Sequence, residues 1–327
     1  MNNNISKIGV FTSGGDAPGM NAAIRAVVRA CTFYKKDCYG IMRGYEGMIE
    51  GDFVKLGARS VGNILQRGGT ILKSARSKEF RTPEGRKTAF ERLQKEGING
   101  LIAIGGDGTF TGLHKFFEEF GVPSVCIPGT IDNDIAGTDY TIGYDTATNT
   151  AVDAIDKIRD TALSHNRLFF VEVMGRNSGY IAINSGIAGG AGAIILPEDN
   201  LTFDELYKLL GAGEKSNKKS NLVVVAEGSK IGDAHALAKM VAERSDYYDI
   251  KVTVLGHLQR GGAPTYFDRV LASRMGVAAV EGLLGDQKDV MVGVKDNKMV
   301  YNGFDTIMTK HHEIDEEYLR LAKILSV

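Results

Sequence analysis

Apolar residues fall along this chain in two alternating rhythms. Short unbroken runs, of the kind buried on both faces of a parallel sheet, recur at 7–11, 101–104, 122–127, 168–173, 193–196, 222–226 and 252–255. Between them the spacing changes to three and four. Residues 20–29 carry Ile24, Val27 and Val28 on one side, and 146–162, 203–210 and 234–244 repeat that helical pattern. Another helix-compatible stretch opens near Thr109, and the polar run 214–220 reads as a surface loop. Strands alternating with amphipathic helices predict an α/β fold with parallel or mixed sheets covered on both faces. In such sheets ligands sit at the carboxyl ends of strands, and the glycine-rich segments of this sequence fall at those ends.

At 327 residues the chain is long for a single core, which predicts two lobes. A formal net charge of −1 leaves no broad basic field, so a general nucleic-acid binder is not expected. Cys31, Cys38 and Cys126 offer neither a disulfide framework nor a metal-ligand spacing, which suits a reducing compartment. No run approaches the roughly 20 apolar residues that span a bilayer. Met1-Asn2-Asn3-Asn4 has neither a basic start nor an apolar signal core. The expectation is a cytoplasmic protein with no membrane or nucleic-acid partner.

Four segments carry chemistry. Thr12-Ser13-Gly14-Gly15-Asp16 follows the first apolar run and precedes a helical pattern; it reads as a phosphate cradle or simply as a tight turn. Gly-Gly-Asp-Gly-Thr at 105–109 repeats the arrangement, and there Asp107 suits Mg²⁺ directly or through water. The absent side chain of Gly108 leaves space beside a polyphosphate. Pro-Gly-Thr-Ile-Asp-Asn-Asp at 128–134 adds Asp132, able to take a proton from an attacking hydroxyl, and Asp134, able to help fix a metal; an extended backbone would point the two differently. Last, Met174-Gly175-Arg176 and Gly-His-Leu-Gln-Arg-Gly-Gly at 256–262 place Arg176, His257 and Arg260 after strands. Glu227, after another strand, suits sugar hydroxyls or a structural role. Phosphate cradles beside carboxylates predict phosphoryl transfer.

Taken with Thr12 to Asn21 (TSGGDAPGMN) and Ser74-Ala75-Arg76, these segments resemble the ATP-dependent 6-phosphofructokinases of the bacterial type, from about Ile8 to beyond Arg274. GGDGT alone also occurs in NAD kinases and lipid kinases; PGTIDND and GHLQRGG separate the families. The resemblance implies two similar three-layer α/β/α lobes. An ATP-binding lobe would take 1–143 plus 259–309, and a fructose 6-phosphate lobe 144–258 plus 310–327. It implies a glycolytic, allosteric kinase using Mg²⁺, usually a homotetramer, that makes fructose 1,6-bisphosphate and ADP. Asp132 would be the general base for the sugar 1-hydroxyl. Arg176, Thr130 and the Gly15 amide would stabilise the transferring group, while Asp107 and Asp134 serve the metal. Gly15, Tyr45, Arg76, Arg81, Asp107, Gly108 and Thr109 would form the ATP site. Thr130, Asp132, Met174, Gly175, Arg176, Glu227, His257 and Arg260 would bind the sugar phosphate, joined by Arg167 and Lys251 of a neighbouring subunit.

Departures from the family pattern carry their own expectations. Pyrophosphate-dependent relatives tend to hold an acidic residue in place of Gly108 and a lysine in place of Gly129, so both glycines favour ATP. Lys251 stands where the family has arginine, replacing a fork with a point charge. Arg25, Arg29, Arg159, Lys218 and Lys219 match effector positions. Ala58, Asn63, Gly192 and Ser216 do not, since the pattern there is basic, acidic, acidic and basic. The expectation is a surviving anion pocket with weak or absent activation by ADP. Another sugar phosphate such as sedoheptulose 7-phosphate, or a silent regulatory subunit on the same scaffold, are the alternatives; intact Asp107, Asp132, Asp134 and Arg176 argue against the second.

Overall fold

The computed structural model describes residues 5–162, 167–215, 221–309 and 313–325. In chain order its first elements are β1 (Lys7–Thr12), α1 (Met20–Phe33), β2 (Asp37–Ile41), α2 (Tyr45–Glu50), β3 (Phe53–Leu56), α3 (Pro83–Glu96), β4 (Gly100–Gly105), α4 (Asp107–Phe120) and β5 (Ser124–Pro128). There follow α5 (Tyr144–Ala162), β6 (Arg167–Val173), α6 (Tyr180–Ala188), β7 (Ala193–Ile195), α7 (Phe203–Lys215), β8 (Asn221–Ala226), α8 (Ala234–Ala242) and β9 (Asp249–Val254). The chain closes with α9 (Tyr266–Leu284), β10 (Val290–Lys295), β11 (Lys298–Gly303), α10 (Phe304–Thr309) and α11 (Glu316–Leu325).

These elements form two compact units. The first draws on Met1–Thr130, Ile135–Asp145 and Arg260–His312. Its seven strands run in the order β11-β10-β5-β4-β1-β2-β3, parallel except for the β2–β3 and β10–β11 pairs at the two edges. Side chains alternate across this sheet. Phe11, Tyr39, Ile41, Leu101, Ala103, Cys126 and Met291 meet residues of α2, α3, α4 and α10 in one core. On the other face α1 and α9 pack together over β1, β4 and β5. The second unit draws on Ile131–Asp134, Thr146–Gln259 and Glu313–Val327, with a parallel four-stranded sheet in the order β7-β8-β6-β9. Leu168, Phe170, Val223 and Val225 pack with Leu206 and Leu210 of α7 and Leu237 and Val241 of α8. Against β7 and β8 lies α6, itself covered by α11.

The expected α/β architecture with largely parallel sheets is therefore the observed one, with differences at its margins. Of the polar run expected to loop, Glu214 and Lys215 belong to α7, and residues 216–220 lie outside the described residues. The run at 122–127 enters the sheet only at Ser124, because the carbonyl of Pro123 accepts from the Leu101 amide ahead of the ladder. Four strands of the first sheet were not anticipated: β3 and β11 are half exposed and read as no apolar run, while glycines, Gly40 and Gly293, interrupt the buried β2 and β10. Among the described residues, no helix is long and apolar enough to cross a membrane.

Candidate active site

In the first unit three glycine segments leave the carboxyl ends of three adjacent parallel strands. β1 pairs β4 with Thr12 beside Ile104, and β4 pairs β5 with Gly105 beside Pro128. Backbone bonds carry the alignment past the strand ends: Ser13 N–H donates to the Ile104 carbonyl at 3.1 Å, and Gly129 N–H to the Gly105 carbonyl at 2.9 Å. The packing demands glycine at 105, where a Cβ would lie 2.6 Å from the Ser13 carbonyl oxygen and 2.5 Å from Thr109 Oγ1. Two helices start behind these turns without a capping side chain, α1 after Gly19 and α4 after Gly106. Helices α3, α8 and α9 are capped by side chains, with Thr82 accepting from Gly85 N–H, Asp233 from Ala236 and Thr265 from Asp268, whereas α2 and α6 also start on a glycine without one. The N-terminus of α4 thus offers its dipole and amides to an anion, with Asp107 in its first turn.

Side chains tie further segments to these turns. Ser74 Oγ donates to the Gly14 carbonyl at 2.9 Å, bringing the Ser74-Ala75-Arg76 segment to the first glycine turn. Buried Asn21 donates to the carbonyls of Arg67 and Gly68 and accepts from Ile71 N–H. Arg260 lies here too, its guanidinium against Gly15 and donating to the Asp16 carbonyl at 3.1 Å. Tyr45 is a support and no exposed wall: it is 6% exposed, stacks on Phe80 at 3.9 Å and donates to the Thr109 carbonyl at 2.5 Å. Burial holds its phenol well above the ordinary range. Arg76 and Arg81 are exposed, and the carbonyls of Phe80 and Arg81 accept from buried Arg86, which also grips Glu119 with two bonds of 2.6 Å. Gly108 faces open space, with nothing within 4 Å of the Cβ it lacks; at Gly129 a Cβ would meet Ile104 Cγ2 at 2.9 Å. Thr130 continues from this turn, its carbonyl accepting from Thr141 Oγ1 at 2.6 Å.

The second unit repeats the plan with side chains. β6 lies between β8 and β9, so Met174-Gly175-Arg176, Glu227 and Gly256-His257 leave the carboxyl ends of three adjacent strands. Glu227 Oε1 accepts from the amides of Gly175 at 3.3 Å and Arg176 at 2.6 Å. Arg176 holds a left-handed φ of 57°, uncommon without a side chain that bonds locally. A Cβ at Gly228 would overlap its carbonyl, so this turn needs glycine opposite it. In the same unit Asp132 is 8% exposed, and Asn133 has φ 53°. A left-handed Asn133 thus stands between Asp132 and Asp134, in place of the extended backbone expected there. Met174 is buried and His257 exposed.

Arg167 and Lys251 stand apart from these groups. They occupy the amino ends of β6 and β9, and Asp249 bridges them, bonded to Arg167 Nε at 3.1 Å and Lys251 Nζ at 2.7 Å. Seven residues of β6 separate Arg167 from the far end, about 20 Å of strand. Of the effector candidates, Arg25 and Arg29 lie four apart on α1 and are its unburied arginines. Arg159 packs its guanidinium over Gly190, near Gly192, and its Nη2 has no hydrogen-bond partner. Ala58 and Asn63 are exposed, and Ser216, Lys218 and Lys219 lie outside the described residues. Sequence reasoning assigned no role to Arg86 or Ser178, whose residue types carry no signal in their local pattern.

The chain is 55% identical to a Cytophaga hutchinsonii protein named ATP-dependent 6-phosphofructokinase, over 98% of each chain. It is 54% identical to the Thermus thermophilus ATP-dependent 6-phosphofructokinase 1, over 99% of this chain and all of that one. Among solved structures, Pichia pastoris phosphofructokinase in the T-state matches 93% of this chain and 35% of its own longer chain, at 37% identity and a TM-score of 0.87. The phosphofructokinase family model matches residues 7–283. With a match of that length and relatives that similar, the chain belongs to the phosphofructokinase family.

Proposed function

We propose that the chain transfers the γ-phosphoryl group of Mg-ATP to the 1-hydroxyl of fructose 6-phosphate, giving fructose 1,6-bisphosphate and ADP in glycolysis. The observation that carries this reading is the near full-length identity to relatives named ATP-dependent 6-phosphofructokinases. Open space at Gly108 supports ATP as donor, since nothing there opposes a nucleotide. The glycine turns of the first unit then act on ATP and the side chains of the second on the sugar phosphate, with Arg260 of the first unit also assigned to the sugar phosphate.

In this reading the 1-hydroxyl oxygen forms a bond to the γ-phosphorus as the bond to the β-γ bridging oxygen breaks, and Asp132 takes the hydroxyl proton. The transition state is loose, so positioning and charge stabilisation dominate, supplied by Arg176, Thr130 and the Gly15 amide. Mg²⁺ in kinase sites is usually held by one or two carboxylates and by phosphate oxygens. Asp107 and Asp134 would hold it, and it would supply charge neutralisation on the phosphates. Met174, Gly175, Glu227, His257 and Arg260 bind the sugar phosphate. Arg167, some 20 Å of strand from the carboxyl end of β6, and Lys251, about 10 Å from that of β9, serve the site of a neighbouring copy in a homotetramer. Gly192 removes a carboxylate for effector-bound magnesium, so activation by ADP is weak although Arg25, Arg29 and Arg159 keep an anion pocket. Strong ADP activation at subsaturating fructose 6-phosphate would sink that last point.

The test of the main reading is fructose 6-phosphate-dependent turnover with Mg-ATP against Mg-pyrophosphate. Turnover with ATP alone is expected. Pyrophosphate activity overturns the donor assignment, and no turnover with either overturns the acceptor.

A further inference from the structure

One buried hydroxyl ties together two groups of the proposed reaction that are 44 residues apart in sequence. Ser178 is 4% exposed, and its Oγ donates to the main-chain carbonyl of Asp132 at 2.9 Å. Its amide donates to the Gly175 carbonyl at 2.9 Å, closing the turn that carries Arg176. That turn is already constrained, with Gly175 at φ 144°, Arg176 at φ 57° and both amides on Glu227. The Asp132 carbonyl belongs to the peptide that leads into left-handed Asn133. Fixing that peptide plane fixes the direction in which the Asp132 side chain leaves the backbone.

We propose that Ser178 is a positioning residue, which locks the carboxylate of Asp132 to the turn bearing Arg176. The inference rests on Asp132 being the base of the proposed reaction. Ser178 is buried, with its hydroxyl turned to the Asp132 carbonyl. Its effect is geometric: a base displaced by a fraction of an ångström loses rate and leaves nucleotide binding alone. A hydroxyl is required for the strength of the bond, because a thiol in the same space is a weak donor.

The experiment compares steady-state kinetics and thermal melting of the full-length enzyme with Ser178→Ala, Ser178→Cys and Asp132→Asn. Ser178→Ala keeps the Ser178 N–H bond to Gly175 and removes the donor to Asp132, together with a long contact of 3.4 Å that Ser178 Oγ accepts from Tyr180 N–H. It is expected to lower kcat roughly tenfold, with KM for ATP within about twofold of the parent. Ser178→Cys should fall between the two, so that kcat follows donor strength. A residue of purely structural importance would lower the melting temperature and leave kcat of the folded enzyme in place. The inference is overturned when Ser178→Ala retains the parent kcat while Asp132→Asn loses it. Should the alanine variant fail to fold, parent-like kcat in Ser178→Cys overturns it equally. Undiminished turnover in Asp132→Asn is a different result, which removes the base assignment itself and the proposal with it.

Discussion

Both units place three loops at the carboxyl ends of three adjacent parallel strands, yet they build those loops from different material. In the first unit the turns at Gly15, Gly105 and Gly129 present backbone, packed so closely that Gly105 has no room for a methyl group. In the second unit the loops present Arg176, Glu227 and His257, and backbone amides hold a side chain, Glu227, in place. Backbone recognises what polyphosphates share, whereas side chains in fixed positions discriminate one sugar phosphate and carry its proton. The two should therefore fail differently: the first through space and charge around phosphate, the second through loss of individual functional groups.

The sharpest test of that difference is Asp132→Asn. It removes one functional group from an almost fully buried position, so kcat should fall by roughly 10²–10⁴-fold, the usual worth of a general base. KM for ATP should stay within a few-fold. A comparable rise in the KM for ATP would show that the two units do not divide the work in this way.

Gly108→Asp probes the other unit. No atom lies within 4 Å of the new Cβ, so melting should be unchanged. If Gly108 lines the ATP site as proposed, the added carboxylate would stand beside the nucleotide phosphates, and juxtaposed like charge costs several kcal/mol, so KM for ATP should rise on the order of 100-fold. Unaltered ATP kinetics would separate Gly108 from donor choice. A gain of pyrophosphate-dependent turnover would sharpen it.

Behind the first unit's turns, Arg86 and Glu119 form a brace that is almost closed to water on the arginine side. Arg86 holds the Glu119 carboxyl below its usual range through their hydrogen bonds. A carboxyl whose folded pKa is lowered adds stability that is complete above its unfolded value, about 4.3, and disappears as pH falls through the folded value. Glu119→Gln should cost about 2 kcal/mol in urea unfolding at pH 7, with the parent and variant converging below pH 4. Equal losses at pH 7 and pH 3 would mean that shape, and not charge, holds the brace.

Much of this was legible in the sequence because glycine patterns and apolar runs are local. Residues 105–109 announce a strand end, a turn and a helix start within five positions, and the helix does begin there, at Asp107. What stayed hidden was whatever depends on distant partners. Ser178 and Arg86 act through residues 46 and 33 positions away. No periodicity marks them. The 19-residue α9 was missed for another reason: buried residues such as Leu271, Met275, Ala279 and Leu283 are joined by Ala272, Val280 and Leu284, so no single apolar face stands out. Tyr45 was expected in the nucleotide site from the resemblance alone, and only packing shows that it is buried, stacked on Phe80 and bonded to the Thr109 carbonyl at the start of α4.

The smallest effect is expected at Lys251, which in the proposed reaction would meet the sugar phosphate of a neighbouring copy. Lys251 and Arg167 share the Asp249 carboxylate, which Lys251 first and Arg167 second hold below its ordinary range. An incoming sugar phosphate must compete with that carboxylate for both cations. A lysine meets phosphate as a point charge, while an arginine in its place can engage two oxygens and still lean on Asp249. Lys251→Arg should therefore lower the KM for fructose 6-phosphate by about two- to threefold, with kcat and the KM for ATP unmoved. Asp249→Asn should act in the same direction by removing the competitor. If arginine leaves that KM unchanged or raises it while asparagine lowers it, the sugar phosphate responds to charge balance at this end of the strands and not to the fork.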